Sequence, residues 1–200
     1  MNIAVDFDGV LFDTETMFRS FSRLYDLKIK GDGMVRPEEL KIQNRYSWSE
    51  QHFNDCVECC VENIHKTAPI MPYAKQVLKA LSKNNKIYAI TGRGLLHNCE
   101  IETTNQRLKQ EGIEFTEVVY SAGNKYEFCK KFNIDVMIDD LYDNVIDLAN
   151  KGVKCLYYRD MVLKMCEHKN VIEVRNWGDI AAELVEMGAI SVEDVFNEIM

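Results

Sequence analysis

Asp6 and Asp8 stand two residues apart, directly behind the apolar run Ile3, Ala4, Val5 and ahead of Gly9 and Thr14. A run of that length suits a buried strand, so both carboxylates would leave its carboxyl end together. Three more clusters follow apolar runs of the same kind. Thr91-Gly92-Arg93-Gly94 comes after KIYAI, Asn124-Lys125 after EVVY and a Ser-Ala-Gly turn, and Asp139-Asp140 after VMI, with Asp143 and Asn144 close behind. Singly, each has an ordinary structural reading: Asp-Gly and Thr-Gly form turns, a lone Lys is usually a surface residue, and an Asp pair often starts a helix. Jointly they are the inventory for phosphoryl transfer to an aspartate. A carboxylate nucleophile divides hydrolysis into two displacements through an aspartyl-phosphate. Mg²⁺ favours oxygen ligands and lets an anionic nucleophile approach an anionic phosphate. A lysine and a hydroxyl hold the phosphoryl oxygens, and a second carboxyl gives a proton to the leaving alkoxide and takes one from water.

The elements that must position these groups read as alternating strands and helices. Strands are expected at 3–5, 86–90, 117–120, 135–138, 153–157 and 171–174, with helices at 73–82, 95–110, 124–132, 144–151, 177–187 and 191–200. Short βα connections imply a parallel sheet between helices, whose ligand crevice lies at the carboxyl ends of the strands. The first strand is the exception, because about 80 residues separate it from the second, far more than one crossover helix needs. The excess is read as a helical cap over 15–72, leaving 1–14 and 73–200 as the α/β core. Within the cap, Met17, Phe18, Phe21, Leu24 and Tyr25 mark one helical face, and Lys28 to Pro37 is a loop. A second helix is expected from a capping box of Ser47 with Glu50 to about His65.

The chain has 200 residues, 46% of them apolar, enough for a real core and too many for a disordered chain. A net charge of −8 and a pI near 5.1 offer no long-range attraction to nucleic-acid polymers or anionic membranes. The first residues already resemble a core strand and no apolar run approaches a membrane span, so the expected setting is soluble and cytoplasmic. Seven cysteines, an odd number, are expected as free thiols. Cys56, Cys59 and Cys60 invite a zinc reading with His52 and His65. Cys56 and Cys60, however, share a helical face with Phe53, Val57, Val61 and Ile64, where cysteine acts as a small hydrophobe. His97 and His168 carry no partner pattern.

The order DFDGV, ITGR, NK, IDD resembles the haloacid dehalogenase (HAD) superfamily of aspartate-dependent phosphohydrolases, over Asp6 to Asn144. The resemblance implies a Rossmann-like α/β core with a helical type-1 cap inserted after the first strand, a cap that serves small soluble substrates. It implies Asp6 as nucleophile and Asp8 as general acid/base, Thr91, Gly92, Arg93 and Lys125 as phosphate ligands, and an Mg²⁺ site of Asp6, Asp8 through its main-chain carbonyl, Asp139 and Asp140. Which of the last two binds metal directly stays open. Receiver domains of two-component signalling use similar residues in another order, with the lysine last, and halide-releasing relatives lack the second aspartate. The segments DFDGVLFD, NRYSWSEQHF, ITGRG and MIDDLYDNV look most like the 5′(3′)-deoxyribonucleotidase group and its bacterial relatives, from which Gly-Arg after Thr91 departs. That likeness implies a nucleoside monophosphate as the small phosphate ester, with Phe12, Tyr46 and Trp48 against the base. Phe18 and Phe53 lie on apolar helical faces and are read as core. The alternatives are a sugar phosphate or other small metabolite, and a catalytically silent regulatory relative. Oligomeric state is not legible in the sequence.

Overall fold

The computed structural model describes residues 1–95, the backbone of Cys99, and residues 100–159 and 164–200; His97 lies outside the described residues. Six parallel strands form one sheet in the order β3-β2-β1-β4-β5-β6, comprising β1 (Asn2–Val5), β2 (Lys86–Ile90), β3 (Glu117–Val119), β4 (Val136–Asp139), β5 (Lys154–Tyr158) and β6 (Val171–Val174). The sheet buries both faces, and side-chain alternation sorts its residues between two cores. Ile3, Val5, Ile87, Ala89, Val136 and Ile138 belong to one, together with Leu81, Trp177, Ile180 and Leu184. Ala4, Tyr88, Ile90, Met137, Cys155 and Tyr157 belong to the other, together with Cys129, Val145 and Leu148. No described helix is long and apolar enough to cross a membrane.

Between β1 and β2 lie α1 (Thr14–Lys28), α2 (Ile42–Arg45), α3 (Glu50–Thr67) and α4 (Ala74–Ser82). The remaining helices are α5 (Cys99–Glu111), α6 (Lys125–Lys131), α7 (Tyr142–Asn150), α8 (Trp177–Glu186) and α9 (Val192–Ile199). α3 packs against both α1 and α5. Cys56 and Cys60 are buried on α3 beside Val61 and Ile64, as its apolar stripe requires.

Three local expectations need correction. The cap of α3 is Ser49, whose hydroxyl accepts the His52 N–H at 3.3 Å, so the helix starts two residues later than a Ser47 box would set it. Leu24 is 65% exposed, whereas Tyr25 is buried and Met17, Phe18 and Phe21 pack against the core as the helical face predicts. The short α2 has no strong apolar period and was not expected. Its last residue, Arg45, is fully buried, bonding Glu15 and the carbonyls of Glu39 and Leu40.

Candidate active site

Strand register brings the acidic residues level. Val5 pairs with Ile138 and with Ala89, so the next residue of each strand, Asp6, Asp139 and Ile90, reaches the carboxyl edge together. The Asp6 N–H extends the ladder to the Ile138 carbonyl at 3.0 Å. Beyond Asp6 the chain turns at once: the Phe7 carbonyl accepts the N–H groups of Leu11 and Phe12 at 3.0 and 2.9 Å. From the far end of the chain, Trp177 Nε1 donates to the Val10 carbonyl at 2.8 Å and holds that turn from behind. Gly9 has φ +72, and a Cβ there would come within 2.0 Å of Asp140 Oδ2. Only glycine therefore allows the loop that carries Asp6 and Asp8 to close on the end of β4.

Lys125, the first residue of α6, is buried between two carboxylates, 2.9 Å from Asp6 Oδ2 and 2.7 Å from Asp139 Oδ2. Asp139 has both oxygens engaged: Oδ1 accepts the Leu141 N–H at 2.9 Å, and Asn144 Nδ2 lies 3.3 and 3.2 Å from the two oxygens. Asp6, Asp139 and Asp140 each offer a carboxylate oxygen within 4.8 Å of the others, a donor set that fits a hard divalent cation such as Mg²⁺. The electrostatics fit as well. Burial raises the Asp6 carboxyl to about 6; Lys125 pulls against the rise, while Asp139 and Asp8 add to it. Burial, with Asp139 and Asp6 adding, puts Asp140 well above the ordinary carboxylate range. Lys125 is raised, because the two aspartates outweigh the effect of its burial. Carboxylates crowded this closely need more positive charge than one lysine supplies.

Asp8 has different company. Burial alone would raise it, but Arg93, with His65 adding, outweighs burial and holds its carboxyl well below the usual range. Arg93 Nε lies 3.2 and 3.0 Å from the two Asp8 oxygens and Nη2 lies 2.7 Å from Oδ1. His65 reaches from α3, with Nε2 3.6 Å from Asp8 Oδ1 and Nδ1 3.7 Å from Glu100 Oε1. Nothing in the sequence pointed to Glu100, and His65 was considered only for its nearness to the cysteines. The available signal was a histidine on the apolar face of α3, directly after Val61 and Ile64.

Asp6, Asp8, Gly9, Gly92, Lys125 and Asp140 border a cavity of about 330 Å³ that Phe18, Leu40, Lys41 and Leu95 also line. Asp8, Gly92 and Phe18 also border a second cavity of about 260 Å³, lined by Phe53, Val57, Val61 and His65. Thr91 is fully buried and its hydroxyl accepts the Arg93 N–H at 3.3 Å. The aromatics expected at a base fall elsewhere. Phe12 is fully buried beside Phe7, with ring centroids 5.9 Å apart. Tyr46 stacks on Trp48 at 4.1 Å, and Trp48 Nε1 donates to Asp26 at 2.9 Å. None of the three borders either cavity, because each satisfies its ring within the protein's own packing. Phe18 and Phe53, read as core, are the aromatics that face the crevice.

A parallel sheet of this order, carrying an Asp-x-Asp loop after its central strand and an acidic pair after the next, is the fold of the haloacid dehalogenase-like hydrolases, and the chain is similar to them in structure. It is 25% identical to "Putative nucleotidase YqfW" of Bacillus subtilis over 179 residues, covering 88% of this chain and 90% of that one. It is 23% identical to a nucleotidase of Clostridium acetobutylicum over 180 residues, covering 90% and 91%. Among solved structures, a haloacid dehalogenase-like family hydrolase from Streptococcus pneumoniae superposes with a TM-score of 0.62 at 14% identity, over 94% of this chain and 97% of that one. CbbY from Rhodobacter sphaeroides in complex with phosphate gives 0.60 at 12% identity, over 92% and 95%. These two share the fold. No protein-family model matches the chain.

Proposed function

We propose that the protein is an Mg²⁺-dependent phosphomonoesterase of nucleoside monophosphates that works through an aspartyl-phosphate on Asp6. The observation that carries this reading is the convergence of Asp6, Asp139 and Asp140 within 4.8 Å around buried Lys125 at the carboxyl edge of the sheet. The nucleotidase names of two relatives that span nine-tenths of the chain support the substrate class.

In this mechanism the phosphate monoanion brings in the proton that Asp8, ionised before the ester binds, takes up; an Asp6 oxygen then attacks phosphorus while the bond to the leaving oxygen breaks, and Asp8 gives that oxygen the proton. Water then attacks the acyl phosphate, Asp8 takes its proton, and phosphate leaves with Asp6 restored. Lys125 holds Asp6 in place and faces the developing phosphoryl charge. Asp6, Asp140, the Asp8 main-chain carbonyl and Asp139 would hold the metal, which supplies the charge neutralisation that lets two anions meet. Asp140 is the carboxylate we assign as the direct ligand of the acidic pair, because both Asp139 oxygens are already engaged by Lys125, Leu141 and Asn144. The insertion over 15–72 acts as the cap. It contributes Phe18 and Phe53, whose rings offer a flat surface to a base in the second cavity.

A second reading keeps the chemistry and assigns a sugar phosphate. It is favoured by the placement of Tyr46 and Trp48 against each other instead of in the crevice. Phosphate release from 5′- and 3′-nucleotides and from sugar phosphates, with Mg²⁺ or with EDTA, tests both. Metal-dependent release that favours nucleotides and vanishes in Asp6→Asn is the expected result. Release confined to sugar phosphates would overturn the substrate assignment, and no release from any ester would overturn the activity.

A further inference from the structure

The resemblance that assigns Asp6 and Asp8 also puts Arg93 among the phosphate ligands, but its side chain is committed elsewhere. Arg93 is 2% exposed. Its Nε and Nη2 take both oxygens of Asp8, and Nη1 donates to Thr104 Oγ1 at 2.9 Å. Thr104 Oγ1 donates in turn to the Glu100 carbonyl at 2.6 Å, and the Glu100 carboxylate accepts the Gly94 N–H, so the loop that carries Arg93 is tied back to α5. The guanidinium plane lies over the Phe12 ring at 4.9 Å and the Phe7 ring at 5.6 Å. Two aromatic faces, a hydroxyl and a carboxylate thus fix its position before any substrate arrives.

A planar fork of this kind does something a point charge cannot: it fixes the direction of a carboxylate as well as its distance. Asp8 needs that control. Its side chain keeps 35% exposure at the junction of the two cavities, where Thr14 is its one other hydrogen-bonding side chain among the described residues. His65 stands on its other side from α3, close enough for charge interaction and too far for a hydrogen bond. We propose that Arg93 is the positioning residue of Asp8 and not a ligand of the transferred phosphate, and that His65 completes the clamp from the inserted helices. The inference rests on the phosphomonoesterase reading, since it concerns the group that moves the proton in that reaction.

The two roles for Arg93 separate when the leaving group is varied. An alkoxide leaving from a nucleotide needs a proton, whereas 4-nitrophenolate departs without one, and both esters present the same phosphoryl group. Arg93→Met is expected to lower kcat for a nucleoside monophosphate by about 100-fold, the usual worth of a proton-transfer group. Its loss on 4-nitrophenyl phosphate should be at least about tenfold smaller. Arg93→Lys, which keeps the charge and loses the fork, should recover only part of the nucleotide rate. His65→Gln should show the same bias between esters at smaller amplitude, and it carries the test if Arg93→Met does not fold. Equal losses on both esters, with a raised KM, would make Arg93 a phosphate ligand and overturn the inference alone. Wild-type protein inactive on both esters would overturn the phosphomonoesterase reading, and this inference with it.

Discussion

Replacing Asp6, the proposed nucleophile, should make the metal-free protein more stable. Asp6 is 8% exposed, and its carboxyl is raised from 3.8 to about 6 by burial, with Asp139 and Asp8 adding, against the opposing pull of Lys125. A rise of about two units corresponds to roughly 3 kcal/mol by which the folded state disfavours the ionised form. Asparagine removes that charge. Its Oδ1 can still accept the Phe7 N–H, a bond of 2.8 Å in the wild type, and Lys125 keeps its 2.7 Å contact with Asp139. Lys125 loses one carboxylate, however, so the net gain in Asp6→Asn should be about 1–2 kcal/mol. For a domain of this size that is a rise in Tm of about 3–6 °C. The sign of the pH dependence follows from the raised pKa. Between about 4 and 6 the folded state holds a proton that the unfolded chain has released, so wild-type stability falls as pH rises through that window. Asparagine does not titrate, and the gap between the proteins should be full at pH 8 and close toward pH 4. Unfolding of both proteins in EDTA, followed by circular dichroism at several pH values, measures it. An Asp6→Asn protein no more stable than wild type at pH 8, or a gap independent of pH, would show that Lys125 already neutralises the site and would refute the reasoning.

Other outcomes follow from the same contacts. Millimolar Mg²⁺ should raise the Tm of wild type by more than that of Asp6→Asn, because a ligand that binds only the folded state stabilises it in proportion to its affinity; calorimetry with and without the ion checks this. Gly9→Ala should cut phosphate release at least about tenfold, since its Cβ would fall within 2.0 Å of Asp140 Oδ2 at a backbone φ of +72. Phe53→Ala should raise KM for nucleotides about tenfold or more, the usual worth of a base-stacking ring, with a smaller effect on 4-nitrophenyl phosphate. Trp177→Phe should lower stability by about 1–3 kcal/mol in urea titrations by leaving the buried Val10 carbonyl without its donor.

The parts of the molecule written in local pattern were legible from the sequence. The six strands and the helices expected from residues 124 and 191 depend on neighbours a few residues away, and the structure has them within about a residue of where they were expected. The Ser47 box missed the start of α3 by two residues, because the path of the loop decides where that helix begins. Which aromatics border the cavities was not legible for a related reason. An apolar helical face announces burial against something, but it cannot say whether that something is packed protein or a cavity wall. Phe18 and Phe53 therefore read as core, while Tyr46 and Trp48, outside any periodic segment, read as available. The Arg93 pairing with Asp8 joins residues 85 positions apart and leaves no trace in local spacing.

The placement of β1 between β2 and β4 also bears on how the protein comes into being. β1, which leads into Asp6, is made before both of its partners in the sheet, which follow at residues 86–90 and 136–139. Loop closure over such separations slows folding, and a chain leaving the ribosome must hold an apolar, unpaired strand until β2 and β4 have been synthesised. Asp6 is therefore translated well before the strands that bring it to its working position. Substitutions that weaken β4 or the Trp177 tether should be felt as poor recovery of soluble protein at elevated growth temperature before they are felt as poor catalysis.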